Sequence, residues 1–585
     1  MRPLVRFYLL LGLAVGGLSA GYAALVLYSA SWPAAAALRP LYESPFLYDW
    51  HPRAYTAGEF WGLRGALAGG SVLLLGLTLG LGLAPAGRAQ VRALGQELRA
   101  VGQGLAASWR ELSPGQRRGA LGLLAALTAL RLYYSLSLQP YDDAFSYELF
   151  VRESWLAVNA GYPLPNNHVL SNTVGWIFYQ VHPGFWWSMR LPVVLTATGA
   201  TALWFVALLR RSNFRVALLA VGWFCLPLES LYYAATGRGY WLLVGLGAGV
   251  FFAVLELRRR APRRPRAAAL VLVASGVLGL YAVPTHLLLL APAYGWWALG
   301  AGRRHDGPAL ARLLALGLLT GLATGLLYAP LLLLSGPAML LHHRYIAPLS
   351  FAQFWHEVVA NASQPYQRLW GGLSLLALGA GWLLVRGARA GRLPAGAAQR
   401  VRALALPSAW LMLTPYLISV AQRSYPPERT LLYKALYTFL LLALAADWGL
   451  RRAGPWGRRW LVGALGAATL AFGGLQVWRV AKQEQLWRAR RDLGAQRARV
   501  GAEWLGRQPP GPVVVPDPLH RFLLRFYGLP GGPPLPWPLL SRPRPGGRYR
   551  YVVVAAGTPP VVGGRRLAAG PPTWHGPVFD IFVLY

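Results

Sequence analysis

Apolar stretches long enough to cross a bilayer recur from near the start of this chain to about residue 480, and no soluble fold can bury so many of them. Between them lie short arginine clusters, among them Arg210-Arg211, residues 258–266, Arg303-Arg304, residues 386–402 and residues 451–459. Placing every dense cluster on the cytoplasmic side gives about thirteen crossings, with the N-terminus inside and the C-terminus outside. The expected fold is therefore an α-helical polytopic membrane protein carrying a small C-terminal external α/β domain.

The formal charge of +37 does not indicate nucleic acid, because the arginines are dispersed between apolar runs and are not gathered on one soluble module. Cys225, the only cysteine, lies inside an apolar run, so disulfides and cysteine metal sites are excluded. A basic start at Arg2 and Arg6 precedes an apolar run over residues 8–28 that is long for a signal sequence and reads as an uncleaved first helix. A second crossing returns over residues 61–83. In residues 88–112, Val91, Leu94, Leu98, Val101 and Leu105 recur at spacings of three and four among arginines, which predicts an amphipathic helix on the cytoplasmic face.

Three units follow. Residues 1–118 form an N-terminal two-helix addition with the amphipathic helix. Residues 119–480 form the transmembrane core, with external loops 139–187 and 336–370. Residues 481–585 form the small external domain, in which apolar runs at 512–515, 549–554 and 578–584 read as strands and 520–527 as a helix. Pro284 divides the apolar stretch 267–300 into a hairpin of two short helices.

Acidic residues total only 20, yet Asp142 and Asp143 stand side by side at a membrane boundary, within Tyr-Asp-Asp-Ala-Phe-Ser at 141–146. Adjacent carboxylates there can divide labour, one acting as a base and the other orienting it or holding a metal. Helix capping is the simpler alternative, since Asp suits helix N-termini. His168, within Leu-Pro-Asn-Asn-His-Val-Leu at 164–170, adds a second proton acceptor or ligand. Glu148, Asn166 and Asn167 share that external loop, and His286 sits at the Pro284 turn. Few arginines lie on the same face: Arg190, Arg238, Arg344, Arg423 and Arg429. Arg238 and Arg429 each begin a helix in an aromatic setting, with Tyr240 and Tyr433 close by, while Arg344 precedes Tyr345 after His342-His343. Guanidinium at an interface matches phosphate, with lipid-headgroup contact as the plainer use.

Taken in order, Tyr-Asp-Asp-Ala-Phe-Ser, Asn-Asn-His-Val-Leu, Met-Arg-Leu-Pro at 189–192 and Gly-Arg-Gly-Tyr at 237–240 resemble the GT-C superfamily of polytopic glycosyltransferases, which includes protein O-mannosyltransferases and aminoarabinose transferases. The resemblance spans roughly residues 121–448. Two features depart from it: the helices before residue 119, and Asn-Asn-His-Val where relatives carry His-Pro-Pro. It implies a bacterial inner-membrane enzyme with a periplasmic site. The donor would be a sugar on a polyprenyl phosphate, undecaprenyl phosphate in a bacterium, and the acceptor a glycan, lipid or protein hydroxyl. Asp142, with Asp143 and His168, would form the catalytic group, and Arg238, Arg429, Tyr240, Arg344 and Tyr345 would meet the donor phosphate. Asn166, Asn167, Glu148 and His286 would line the acceptor or sugar pocket. The resemblance fixes no cofactor; a divalent cation, Mg or Mn, would fall to Asp142, Asp143 and His168 if one is used. A transporter or flippase of lipid-linked saccharides, or an assembly subunit using its tail, would fit the same topology.

Overall fold

The computed structural model describes residues 3–42, 54–138, 142–163, 166–337, 340, 348–363, 365–424, 426–526, 539–540, 548–562, 565–576 and 578–584. Among them, ten helices are long and apolar enough to cross a membrane, or eleven if one bent pair counts as a crossing. The expected count of about thirteen also included Leu287–Gly302, with 16 residues, and the charged-ended Tyr433–Arg452, which are not among the ten. Leu314, Leu318 and Leu322 form a stripe along Gly307–Leu334 and are each at least 60% exposed, a surface that suits lipid rather than water.

Local chemistry sets the helix ends. Thr56 and Glu59 close a capping box at the start of Ala57–Leu83, as do Ser113 and Gln116 for Pro114–Ser137, where Pro114 needs no hydrogen-bond partner for its nitrogen. The single helix expected over residues 216–233 is instead Phe214–Cys225 followed by Leu228–Ala235, bent by 74°. Pro227 lies in the break, where it cannot donate to the helix ladder and crowds the preceding turn. The expected hairpin is present as Pro265–Ala282 and Leu287–Gly302 around the turn Pro284–His286.

The N-terminal unit packs directly against the rest of the chain. Pro3–Tyr28 places Phe7 and Leu11 in the main core, and Tyr22 Oη donates to Asn159 Oδ1 at 2.8 Å. The same Asn159 oxygen accepts from Tyr281 Oη at 2.8 Å and Thr173 Oγ1 at 2.9 Å, so one buried amide joins four helices. The boundary at 118 falls inside Pro114–Ser137.

The boundary at 480 likewise falls inside a helix, because Pro455–Gly506 runs unbroken for 52 residues from the bilayer into the tail. Ala502 and Leu505 at its far end pack on a five-stranded sheet. The strand order is Leu539–Leu540, Val513–Val514, Tyr551–Ala555, Phe579–Val583, Trp574–His575; the first three are parallel and the last two join antiparallel. Helix Pro518–Phe526 crosses between the first parallel pair and carries Phe522 and Phe526 onto the loop that holds the Asp pair. Phe145 and Phe522 have ring centroids 5.2 Å apart, Phe185 and Phe526 5.1 Å, and Arg525 Nη1 meets Glu153 Oε1 at 3.1 Å.

Candidate active site

The chain leaves Pro114–Ser137 and, after Leu138, forms the five-residue helix Asp142–Ser146, which widens into a π turn over Tyr147–Val151. A second π turn, Trp186–Arg190, starts the following long helix and brings Arg190 to the loop. Such local widenings displace a side chain from the regular helical path, and they recur at functional sites.

Arg190 Nε donates to Asp143 Oδ2 at 2.8 Å, and each side chain is 3% exposed. Arg190 Nη1 also donates to the carbonyls of Ser135 and Leu138, at 2.8 and 2.7 Å, which ties the loop to the end of the helix before it. The Gly237 N–H donates to the same Asp143 oxygen at 3.1 Å. Asp143 thus joins three segments distant in sequence, with its side chain buried between them. Asp142 differs: its side chain is 43% exposed, and its Oδ2 lies 4.0 Å from Arg238 Nη2.

Arg238 is buried. Its Nη1 donates to the Asn166 carbonyl at 3.2 Å and to Asn166 Oδ1, and Asn166 Nδ2 donates to the Asp142 carbonyl at 3.1 Å. Arg238 Nε is buried without a hydrogen-bond partner. The flanking glycines are there because the backbone approaches closely. A Cβ on Gly237 would lie 2.8 Å from Met189 Cβ, and one on Gly239 would lie 3.1 Å from His168 Nδ1.

The Gly239 N–H donates to His168 Nδ1 at 2.9 Å, and Arg238 Nη2 lies 3.0 Å from His168 Nε2. A backbone amide can only donate, so Nδ1 is the acceptor and a neutral ring carries its proton on Nε2, facing another donor. Burial first, then Arg238 and Arg429, hold the His168 pKa well below the usual imidazole range, so the ring is neutral. Tyr240 begins the next long helix, with its ring 4.7 Å from His168 and 4.6 Å from Tyr233. Arg429, in the turn Glu428–Leu431, completes the group. Burial opposes its charge, but Tyr240, Tyr233 and Asp142 outweigh that and raise its pKa.

Asp142, Asp143, His168, Arg238, Tyr240, Arg429 and Asn166 therefore converge, whereas the remaining expectations separate from them. Asn167 is fully buried and is used within its loop, donating to the Val158 and Gly161 carbonyls at 2.8 and 2.7 Å and accepting from Asn172 at 2.8 Å. Glu148 is buried against Arg152 at 3.0 Å; burial raises its pKa despite Arg152 and Arg525. His286 packs on Gly279, where a Cβ would come within 2.2 Å of its ring. The contacts of these three are with the surrounding scaffold. Arg344 and Tyr345 lie outside the described residues.

Sequence reasoning did not find the partnership of Arg190 with Asp143, nor the part played by Gly237, Gly239 and Tyr233. The Gly-Arg-Gly spacing was the available signal, because paired glycines mark close backbone approach. Among the described residues no group of three His, Cys, Asp or Glu could hold a metal ion, and both His168 nitrogens face N–H groups, so His168 is not placed as a ligand.

No protein-family model matches the chain, and no curated protein matches it in sequence. Among solved structures it is similar to ArnT from Cupriavidus metallidurans bound to undecaprenyl phosphate, at 16% identity and a TM-score of 0.47, covering 70% of this chain and 86% of that one. The apo form of ArnT aligns at 15% identity and a TM-score of 0.43, covering 72% and 85% respectively. The arabinosyltransferase EmbB from Mycobacterium smegmatis aligns at 16% identity and a TM-score of 0.38, covering 65% of this chain and 34% of that one.

Proposed function

We propose that this chain is a membrane glycosyltransferase that moves a sugar from a polyprenyl-phosphate carrier to an acceptor hydroxyl. The observation that carries the reading is a surplus of donors around one accessible carboxylate. Arg238 Nε lacks a partner, the His168 Nε2–H faces Arg238 Nη2, and Arg429 stands beside them, while Asp142 is half exposed at their edge. An anion with several oxygens, such as a phosphate, would satisfy those donors together, and Arg meets phosphate in a forked geometry.

In the proposed reaction, Asp142 accepts the proton of the acceptor hydroxyl, and the freed oxygen attacks the anomeric carbon. The bond from that carbon to the carrier phosphate breaks, and the electron pair leaves on the lipid phosphate. Arg238 and Arg429 meet the charge as it develops there, and His168 contributes a neutral N–H. Attack opposite the leaving group inverts the anomeric centre. Asp143 acts by position, holding the loop through Arg190 and Gly237. A cavity of about 380 Å³ beside the Arg429 turn is lined by Trp355, Trp370, Tyr416, Glu229 and Glu428, and these aromatic faces and carboxylates suit a sugar. The site faces the periplasm of a bacterial inner membrane in this reading.

Transfer from a purified polyprenyl-phosphate sugar in detergent tests the proposal. Turnover in the wild type with loss in Asp142→Asn and Arg238→Gln is the expected outcome. Carrier movement without glycosidic bond formation would replace the reading with a transporter.

A further inference from the structure

The helix ends opposite the Asp142 site form two adjoining, half-open cavities of contrasting chemistry. One, of about 530 Å³, is walled by apolar residues such as Leu203, Leu246, Phe252 and Val271, and closed on one side by Leu98, Val101 and Leu105 of the amphipathic helix Pro85–Arg110. The other, of about 520 Å³, is lined by eight arginines and a single acidic residue, Glu256. Arg210, Arg211, Glu256 and Arg264 line both, so the apolar cavity ends in the basic one.

Glu256 cannot neutralise that basin. It already meets Arg211 at 3.5 Å and Arg259 at 3.4 Å, and it accepts from the backbone N–H groups of Arg263 and Arg264 at 2.7 and 3.3 Å. The amphipathic helix is fixed in place by Arg266 on Glu97 at 2.9 Å and by Arg210 Nη1 on the Val101 carbonyl at 3.2 Å. Part of its apolar face therefore forms a cavity wall rather than lying flat on lipid. A solvated basic face would account for the arginines but not for an apolar chamber of ligand size joined to them; pockets of roughly 300–1,000 Å³ are the range in which single ligands bind.

We infer that the paired cavities form a binding site for one anionic phospholipid from the leaflet on the arginine face. Its phosphate lies among Arg210, Arg211 and Arg264, and an acyl chain runs into the apolar chamber. Charge complementarity selects the headgroup, and the membrane-depth chamber selects a chain over a free anion.

Gly199 gives a specific probe, because it lines the apolar chamber and a Cβ there meets nothing within 4 Å. Gly199→Phe adds a ring to the chamber without a clash at its own Cβ. The full chain is purified in detergent, and retention of phosphatidylglycerol and phosphatidylcholine with matched chains is measured by native mass spectrometry, with inorganic phosphate as competitor. The wild type retains phosphatidylglycerol at least tenfold over phosphatidylcholine. Arg211→Gln/Arg264→Gln lowers that retention on the order of 30-fold, the attraction of two basic residues for an anionic lipid. Gly199→Phe, with its thermal unfolding unchanged, also loses phosphatidylglycerol, which keeps the test valid if the arginine variant misfolds. Equal retention of the two lipids, or undiminished retention in Gly199→Phe, overturns the inference. Displacement by inorganic phosphate at the lipid's own concentration also overturns it, because the basin would then hold a free anion.

Discussion

Removing the charge of Asp143 while keeping its shape, in Asp143→Asn, separates the two carboxylates by what each one touches. Asp143 and Arg190 form a 2.8 Å pair with both side chains 3% exposed, and Arg190 has one further nitrogen, Nη2, already without a partner. Breaking such a pair from one side leaves a buried cation uncompensated and costs about 3–5 kcal/mol. Asp142, at 43% exposure and 4.0 Å from its nearest cation, supplies little stability; exposed pairs contribute about 0–1 kcal/mol. Asp142→Asn therefore unfolds near the wild-type temperature but loses about 10²- to 10⁴-fold in turnover, the usual effect of a general base. Asp143→Asn unfolds markedly earlier, and the double variant Asp143→Asn/Arg190→Gln recovers part of the loss because no charge is left stranded. The measurements are thermal unfolding in detergent and initial rates of sugar transfer on the four proteins. A stable Asp143→Asn with turnover lower than that of Asp142→Asn would show that the buried carboxylate performs the chemistry and that the assignment is reversed.

Three further outcomes follow from particular contacts. Gly239→Ala places a Cβ 3.1 Å from His168 Nδ1, so the ring shifts off its backbone donor; the Michaelis constant for the lipid donor rises about tenfold, while Ser171→Ala is neutral. His168 has a folded pKa far below its unfolded value of about 6.5, so below that pH the unfolded chain binds a proton the folded chain refuses. Its contribution to stability is intact above about pH 6.5 and falls by about 1.4 kcal/mol per unit as pH drops toward the folded pKa; His168→Asn flattens that limb in pH-dependent unfolding. Phe522→Ala and Phe526→Ala loosen the tail helix from Phe145 and Phe185, each ring pair contributing about 0.5–1.5 kcal/mol. Faster proteolysis near the Asp142–Ser146 segment reads that loosening, and an unchanged cleavage rate would remove the tail from any part in holding the site.

Helices were legible in the sequence because their evidence is local. Tyr240–Leu257 begins and ends where its apolar run does, and the Pro284 turn divides its hairpin as a proline must. The amphipathic helix was visible from the spacing of Val91 to Leu105, although nothing in that spacing disclosed that Leu98, Val101 and Leu105 would wall a cavity ending in Arg210, Arg211 and Arg264. The 74° bend at Pro227 was missed because continuous hydropathy hid a backbone break. The helix leading into the tail runs on through the change in composition near residue 480, because a change in composition does not end a helix.

Sequence alone determined that Asp142 and Asp143 stand side by side after an apolar run, in a chain poor in acid, and that Arg238 and Arg429 each lie just ahead of another apolar segment. It could not decide between the two carboxylates, since neighbours in a helical turn point in different directions and only their partners distinguish them. Those partners are remote: Arg190 is 47 residues from Asp143, Gly237 is 94, and His168 reaches Arg238 across 70. Packing of the long helices brought them within hydrogen-bond distance, burying Asp143 in an ion pair and leaving Asp142 half exposed beside Arg238. Hydropathy set which segments cross; tertiary structure decided which carboxylate was left accessible.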